Sequence, residues 1–142
     1  MSRDDVPGRR VVSRVLIVSA LVMVAYWVLW FTARGTVASN DRSAYREFEN
    51  AFPLADAWIT WCLLAAWWTL RRGRPVAVLW LFAGGGAGLY LCGLDVLYDL
   101  EQGIWWRSGA GGVIELGINL LTLAVSLGLL AWTWRRRAAL LA

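Results

Sequence analysis

The residues best suited to chemistry are two pairs of polar side chains in neighbouring apolar segments. Asp95 and Asp99 lie four residues apart in the stretch GLDVLYDLEQGIWW, and Glu115 and Asn119 have the same spacing in the next segment. Residues four apart share one face of a helix, so each pair points in one direction. Acids that are held close together without countercharges share a proton or bind a cation. The two pairs therefore predict a polar site between two helices.

Small and polar residues continue the line of each pair. At helical steps of three or four, the segment with the aspartates presents one stripe: Gly84, Gly88, Cys92, Asp95, Asp99 and Gln102. The next segment presents a second stripe: Glu115, Asn119, Thr122 and Ser126. In an earlier apolar segment, Asp56 stands one turn before Thr60. Small residues let helices approach closely, and a carboxylate that faces lipid costs several kcal/mol. The three polar faces are therefore predicted to point inward and to bring their acids to one depth.

Helix dipoles account for some of these acids and not for others. Asp56 and Glu115 fall in the first turns of their predicted helices, where the positive end of the dipole stabilises an anion. Asp95 and Asp99 fall in the last turns, where the dipole disfavours an anion, so capping does not account for them. A structural alternative is an ion-pair network with arginines of the outer loops: Arg34, Arg42, Arg46 and Arg107. The sequence is compatible with either a ligand site or such a network.

Aromatic side chains crowd the same ends of the segments: Trp58, Trp61, Tyr90, Tyr98, Trp105 and Trp106. Tryptophan and tyrosine often anchor helices at the headgroup level, which is one interpretation of this group. An aromatic wall beside carboxylates also suits an organic cation or a polar-headed lipid. The predicted ligand-binding set is Asp56, Asp95, Asp99, Glu115, Asn119, Tyr98 and Trp58.

The composition limits what the chain can be. Of 142 residues, 59% are hydrophobic and 11 are Trp, an apolar share above the roughly half that soluble domains carry, which predicts an integral membrane protein. There is no His, so the commonest metal ligand and general base are missing, and we expect neither a metal site nor a cofactor. The 14 basic residues are all Arg and stand in short clusters beside apolar runs, which argues against nucleic-acid binding. Heavy use of Arg, Ala, Gly and Trp indicates GC-rich coding DNA and a bacterial source.

Four apolar segments are long enough to cross a hydrocarbon core of about 30 Å as helices. They are predicted over residues 11–33, 53–70, 76–100 and 113–134. Together they predict one domain over residues 1–142, a compact antiparallel bundle of four transmembrane helices.

The first outer loop, residues 34–52, is the only long connection. Its aromatic residues recur at helical spacing: Tyr45, Phe48 and Phe52. Charged residues fill the other faces, so a short amphipathic helix is predicted to lie on the outer membrane surface. The candidate caps for its first turn are Asn40, Asp41 and Ser43.

Arginine counts set the predicted orientation. Ten Arg flank one set of helix ends and four lie in the opposite loops, and cytoplasmic loops of membrane proteins carry the excess of basic residues. Both termini are therefore predicted to lie in the cytoplasm, with the chain in the inner membrane. Eight of the ten acids fall on the outer side, so the formal charge is +8 at the cytoplasmic ends and −4 at the outer ends.

Small residues near the middle of the helices are predicted to pack. Cys62 and Cys92 each lie about 12 Å of helical rise from the outer end of a helix, and whether they touch is open. We interpret both as packing residues. Gly84 and Gly88 form a GxxxG pair, which also offers a face for a homodimer.

Three functions are compatible with this arrangement. The leading hypothesis is a site near the outer leaflet that binds a membrane lipid, an apolar amine or another small ligand without catalysis. The second is an isomerase- or cyclase-like acid/base enzyme, in which Asp95, Asp99 or Glu115 transfers a proton to an apolar lipid or isoprenoid. The third is an accessory subunit of a membrane complex. In architecture alone, the layout resembles the sterol-isomerase and sigma-2-receptor class, which implies an amine or sterol ligand held against carboxylates; the histidine of the isomerases has no counterpart here.

Overall fold

Every regular element in the described part of the chain is helical. The structure is a computed structural model that describes residues 6–36, 38 and 42–142. Its α-helices are α1 Arg9–Thr32, α2 Ser43–Glu49, α3 Pro53–Arg71, α4 Ala77–Gln102, α5 Ile104–Arg107 and α6 Ala110–Leu141. A 3-10 turn, Arg34–Thr36, follows α1. The predicted all-helical class is confirmed, since these residues contain no strand.

Three of the helices, α1, α4 and α6, are long and apolar enough to cross a membrane. They correspond to the predicted segments 11–33, 76–100 and 113–134. Helix α6 continues to Leu141, well past its predicted end, because Arg, Ala and Leu are strong helix formers and no Gly or Pro interrupts them. Helix α3, which contains four Trp, two Thr and Asp56, begins at Pro53, as predicted, but is not among these three.

The long helices pack in chain order, with α1 against α3, α3 against α4 and α4 against α6. Leucines from several helices fill the shared core, among them Leu16, Leu63 and Leu129. Helices α1 and α6 also meet at the ends that carry the arginines. There the indole Nε1 of Trp132 donates a hydrogen bond of 3.0 Å to the carbonyl of Pro7. This contact joins the two ends of the described chain.

Glycines let α4 lie close to both of its neighbours. A Cβ atom added at Gly84 would lie 3.2 Å from Cβ of Cys62 on α3, and one added at Gly88 would lie 2.6 Å from the hydroxyl oxygen of Ser126 on α6. Both glycines are buried. The stripe of small residues thus packs inside the chain, and the face considered for a homodimer is occupied by α3 and α6.

The two cysteines are free and buried at different levels of the structure. Cys62 faces Gly84. Cys92 lies two turns further along α4, about 12 Å at the usual helical rise. Its thiol donates to the backbone carbonyl of Asn119 over 3.4 Å. Each cysteine therefore serves a different helix contact.

Candidate functional site

Five carboxylates converge at the end of the helices opposite the arginine clusters. They come from four helices: Glu49 of α2, Asp56 of α3, Asp95 and Asp99 of α4, and Glu115 of α6. Glu49 and Asp95 each interact electrostatically with Asp56 and Glu115, and Asp99 interacts with Glu115. We call these five side chains the acid cluster. Among the described residues, no three Cys, Asp or Glu side chains are arranged to hold a metal ion.

Asp99 is the most deeply buried member of the acid cluster, with 4% of its surface exposed. The amide nitrogen of Asn119 donates to Asp99 Oδ2 over 2.7 Å, and the indole Nε1 of Trp105 donates to the same oxygen over 2.8 Å. Such donors are required because an unpaired polar group buried away from water is costly. The two bonds tie α4 to α5 and α6 and hold this carboxylate in one position.

Trp105 reaches Asp99 because α5 lies directly against α6. A Cβ atom added at Gly112 would collide with the backbone carbonyl of Ile104 and would lie 2.9 Å from Cα of Trp105. Only glycine fits at this contact. Gly103, with a φ of 67°, ends α4 in the left-handed region and allows the sharp turn into α5. Two glycines therefore determine where the second donor to Asp99 lies.

Tyrosines hold the two glutamates of the acid cluster. The hydroxyl of Tyr45, which is 1% exposed, donates to Glu115 Oε1 over 2.7 Å. The hydroxyl of Tyr26 on α1 donates to Glu49 Oε2 over 3.0 Å. Because Tyr45 and Glu49 both belong to α2, this short helix connects α1 with α6 across the acid cluster.

Helix α2 packs its aromatic side onto the other helices. The ring of Phe48 stacks on Tyr98 of α4 with centroids 3.8 Å apart, and the ring of Tyr45 meets Trp30 of α1 edge-on at 6.3 Å. The sequence predicted a helix in this loop, and one is present. Its apolar side was expected to face the membrane surface, whereas it contacts protein, because the ends of α1 and α4 offer aromatic rings to it.

The start of α2 also differs from the prediction. Two of its candidate caps, Asn40 and Asp41, lie outside the described residues, and Ser43 is the first residue of the helix itself. The N-cap position is Arg42, whose side chain makes no capping hydrogen bond. The contacts of its aromatic side therefore hold this helix in place.

Trp27 and Trp30 of α1 supply two further hydrogen bonds at this end. The indole of Trp27 donates to Asp56 Oδ2 over 2.9 Å, and the indole of Trp30 donates to the side-chain oxygen of Asn50 over 3.1 Å. They fasten α1 to the start of α3 and to the connection before it.

The hydrogen bonds to Glu49, Asp56 and Asp99 come from Tyr, Trp and Asn side chains, which carry no charge. Of the arginines considered as ion-pair partners, Arg34 lies over the ring of Trp30 at 4.8 Å, and Arg42 donates to the side-chain oxygen of Gln102 over 3.4 Å. In the described part of the chain, uncharged donors take the positions that the ion-pair hypothesis assigned to arginine around these three acids.

Asp95 and Tyr98 retain polar groups that the described residues do not satisfy. No described residue donates a hydrogen bond to Asp95, which is partly buried, and the buried hydroxyl of Tyr98 has no partner among the same residues. Buried polar groups are normally hydrogen-bonded. These two groups, one turn apart on α4, are therefore the best candidates to contact a bound molecule.

Glu49 lies outside the three helices that are apolar enough to cross a membrane, and it has an unusual pKa. Burial is the main cause and the charge of Glu115 the next; together they raise the pKa of Glu49 from 4.5 to about 8, against the opposing effect of the Tyr26 hydrogen bond. This carboxyl group therefore exchanges its proton near neutral pH at one edge of the acid cluster.

An open apolar groove of about 620 Å³ runs between α1 and α3. Aromatic and aliphatic side chains of both helices line it, including Trp27, Phe31 and Trp61, together with the polar Thr60. Its volume falls in the range of about 300–1,000 Å³ that is typical of small-molecule sites. Because Trp27 also donates to Asp56, one wall of the groove is in contact with the acid cluster.

The structure brings together most of the predicted ligand-binding residues: Asp56, Asp95, Asp99, Glu115 and Asn119, with Tyr98 beside them. Trp58 does not belong to this group, since it is 51% exposed on the outside of α3. Two positions along a helix correspond to a rotation of about 200° around its axis, so Trp58 points away from the side that carries Asp56.

Sequence reasoning missed several residues of the site: Tyr26, Trp27, Tyr45, Glu49 and Trp105. A weak signal was available for α1, because Tyr26 and Trp30 are four residues apart and share one face. For Tyr45 and Trp105 no local pattern distinguishes a donor to a carboxylate from an anchor at the membrane interface.

Comparisons with known proteins add no family to this description. No protein-family model matches the chain, and searches of the curated proteins and of the solved structures give no significant match. The function must be inferred from the acid cluster, the groove and their charges.

Proposed function

We propose that the chain spans the inner membrane four times, with both termini in the cytoplasm. Helix α3 supports the fourth span, because it is 19 residues long, packs between α1 and α4, and exposes Trp58, Trp61 and Trp68 on its outward side. The arginines at one set of helix ends support the orientation through the positive-inside rule.

Thiol labelling tests this orientation. With Cys62 and Cys92 replaced by Ala, a single cysteine is introduced at an exposed position near either end of the helices, as Gly35→Cys or Ala142→Cys. A membrane-impermeant reagent applied to intact cells is expected to label the first variant and not the second. Labelling of Ala142→Cys alone would reverse the proposed topology.

We infer that the acid cluster and the adjoining groove bind an amphiphilic organic cation, such as a lipid amine, in the outer half of the membrane. One observation carries this proposal: Glu49, Asp56 and Asp99 have uncharged partners, and Asp95 accepts no hydrogen bond from a described residue. Ionisation of several of these closely placed carboxyl groups builds up a negative potential, which a positively charged group relieves, so a bound cation favours their ionised forms.

The groove supports an amphiphilic ligand in preference to a small hydrophilic one. It is apolar over most of its length, and its wall residue Trp27 is bonded to Asp56. Pro53, Ala57 and Thr60, which also line the groove, are the neighbours of Asp56 along one side of α3. A hydrocarbon tail in the groove therefore brings a cationic head within reach of the acids.

A matched pair of probes tests the proposal in phosphatidylcholine nanodiscs. Hexadecyltrimethylammonium is expected to raise the thermal stability of the protein saturably, whereas hexadecanol, with the same tail and no charge, is expected to have little effect. Asp95→Asn should weaken binding of the cation about tenfold, equivalent to about 1.4 kcal/mol.

Glu101→Gln is the control, because Glu101 is exposed on the same helix and its replacement removes the same charge. Equal loss of affinity in both variants would mean nonspecific attraction and would contradict the proposed site. Failure of Asp95→Asn to fold would assign the acid cluster a structural role, as expected for an accessory subunit.

A second candidate, acid/base catalysis on an apolar lipid or isoprenoid, is favoured by Glu49. Its pKa of about 8 suits proton transfer near neutral pH, and the Tyr26 hydroxyl lies 3.0 Å away. Asp99, with two donors on one oxygen, is better suited to positioning than to proton transfer. Deuterium uptake from D2O into membrane lipids, lost in Glu49→Gln, would support catalysis, and no uptake with the unaltered protein would exclude this reaction.

A further inference from the structure

The end of the helices opposite the acid cluster is strongly basic. Nine of its arginines are described: Arg9, Arg10, Arg14, Arg71, Arg72, Arg74, Arg135, Arg136 and Arg137. No acidic side chain among the described residues lies at this end, since Asp4 and Asp5 fall outside them. We call this group the basic surface.

Contacts between helices make the basic surface continuous. A guanidinium nitrogen of Arg9 on α1 donates to the carbonyls of Leu70 and Arg71 on α3 over 2.7 and 3.1 Å. The bond from Trp132 to the carbonyl of Pro7 brings α6 to the same point. The arginines of three helices therefore face one region of the membrane surface.

Three of these arginines lie over tryptophan rings. The guanidinium carbons of Arg71, Arg72 and Arg137 are 5.1, 3.9 and 3.8 Å from the ring centroids of the Trp residues three or four positions before them. All three arginines are exposed. Tryptophan is enriched at the headgroup level of membranes, so each pair holds a cation at the depth of the lipid phosphates.

The length of α6 extends the basic surface beyond the hydrocarbon region. The helix has 32 residues, or about 48 Å at 1.5 Å per residue, against about 30 Å for the hydrocarbon core. Its three consecutive arginines, Arg135–Arg137, lie in its last turns and are exposed. They are thus positioned in the headgroup layer.

We propose that the basic surface binds the headgroups of anionic phospholipids. Charge complementarity and depth both favour this occupant, because guanidinium groups form paired hydrogen bonds with phosphate oxygens and here stand beside interfacial tryptophans. The proposal is independent of the cation site at the other end of the molecule. It predicts that the protein retains anionic lipids selectively from a mixed bilayer.

Native mass spectrometry of the protein released from nanodiscs tests this prediction. In discs made of equal amounts of phosphatidylcholine and phosphatidylglycerol, the protein is expected to retain the anionic lipid in several-fold excess. The triple variant Arg71→Gln, Arg72→Gln and Arg137→Gln should clearly reduce this excess, because it removes the three arginines that lie over tryptophan rings. Arg9 is kept because it joins two helices.

A second triple variant serves as the control. Arg42→Gln, Arg46→Gln and Arg107→Gln remove the same charge from exposed positions at the other end of the helices and should leave the excess unchanged. Retention at the ratio of the disc by the unaltered protein, or equal loss in both triples, would overturn the proposal. Displacement of the lipid by millimolar inorganic phosphate would overturn it in favour of a site for free phosphate.

Salt dependence keeps the proposal testable if the first triple variant fails to insert. Exposed charge interactions are screened by salt, so the excess of phosphatidylglycerol on the unaltered protein should fall as the NaCl concentration rises. An excess that is independent of NaCl would contradict binding through the arginines.

Discussion

Asn119 on α6 donates a hydrogen bond of 2.7 Å to the Asp99 carboxylate on α4, and both side chains are almost fully buried. The bond joins residues twenty positions apart and fixes the positions of two long apolar helices relative to each other along their length. Asp95 and Glu115, two other members of the acid cluster, interact electrostatically with Asp99.

Replacement of Asn119 by Ala is expected to lower the free energy of unfolding by about 1–2 kcal/mol, because Asp99 keeps only the Trp105 donor. Asp99→Asn is the matched change: its amide oxygen still accepts from both donors, so the loss should be smaller. Denaturant titration followed by circular dichroism measures both. A larger loss in Asp99→Asn than in Asn119→Ala would mean that the charge, and not the hydrogen bond, stabilises the contact.

Gly112→Ala is expected to be strongly destabilising, by about 1–3 kcal/mol or more, because its methyl group meets the backbone of α5 and no side-chain rotation relieves the contact. Gly117→Ala, on the same helix with nothing within 4 Å of its added Cβ, should be neutral or slightly stabilising. Thermal unfolding in nanodiscs compares the two variants. Equal stability would contradict the close approach of α5 to α6.

The stability of the end that carries the acid cluster should depend on pH through Glu49. Its folded-state pKa of about 8 is above the ordinary value of 4.5, so the unfolded chain releases this proton first. The favourable contribution of the protonated group is complete below the ordinary pKa and is lost as the pH rises through about 8.

Glu49→Gln removes this titration and keeps an acceptor for the Tyr26 hydroxyl. The melting temperature of the unaltered protein is expected to fall between pH 5 and pH 9 relative to that of Glu49→Gln. Parallel pH profiles for the two proteins would show that Glu49 titrates normally.

Arg9 is expected to contribute more to the free energy of unfolding than Arg10. Arg9 donates to two carbonyls at the end of α3, where a cation is also favoured by the helix dipole, whereas Arg10 is exposed. Arg9→Met is expected to cost about 0.5–1.5 kcal/mol of unfolding free energy, while Arg10→Met, which removes the same charge, should cost less. The same denaturant titration distinguishes them, and equal losses would argue for a general charge effect.

The acids of α3, α4 and α6 were predictable because long apolar helices leave few choices for a polar face. The spacing of Asp95 with Asp99, and of Glu115 with Asn119, predicted that both stripes point inward. The Asp99–Asn119 bond lies where those stripes meet. Trp58 lies apart from these acids, because two positions along a helix turn its side chain away from that of Asp56.

The contacts of α2 were not predictable in the same way. The helix has seven residues, too few to be stable alone, so its position depends on surfaces that exist only in the folded protein. The bond from Tyr45 to Glu115 spans seventy residues of sequence, and no local pattern records it. The same holds for Glu49, whose pKa is raised mainly by burial in the folded protein and next by the charge of the distant Glu115.

The stacking of Phe48 on Tyr98 has a consequence for the order in which the molecule assembles. Tyr98 and Glu115 are synthesised after α2, so this short helix can make only its contacts with Tyr26 and Trp30 of α1 until α4 and α6 have been made. Tyr45 therefore lacks the Glu115 acceptor until α6 has been synthesised. The contacts of α2 with α4 and α6 are expected to form late in folding, and they close the acidic end only after α6 has been made.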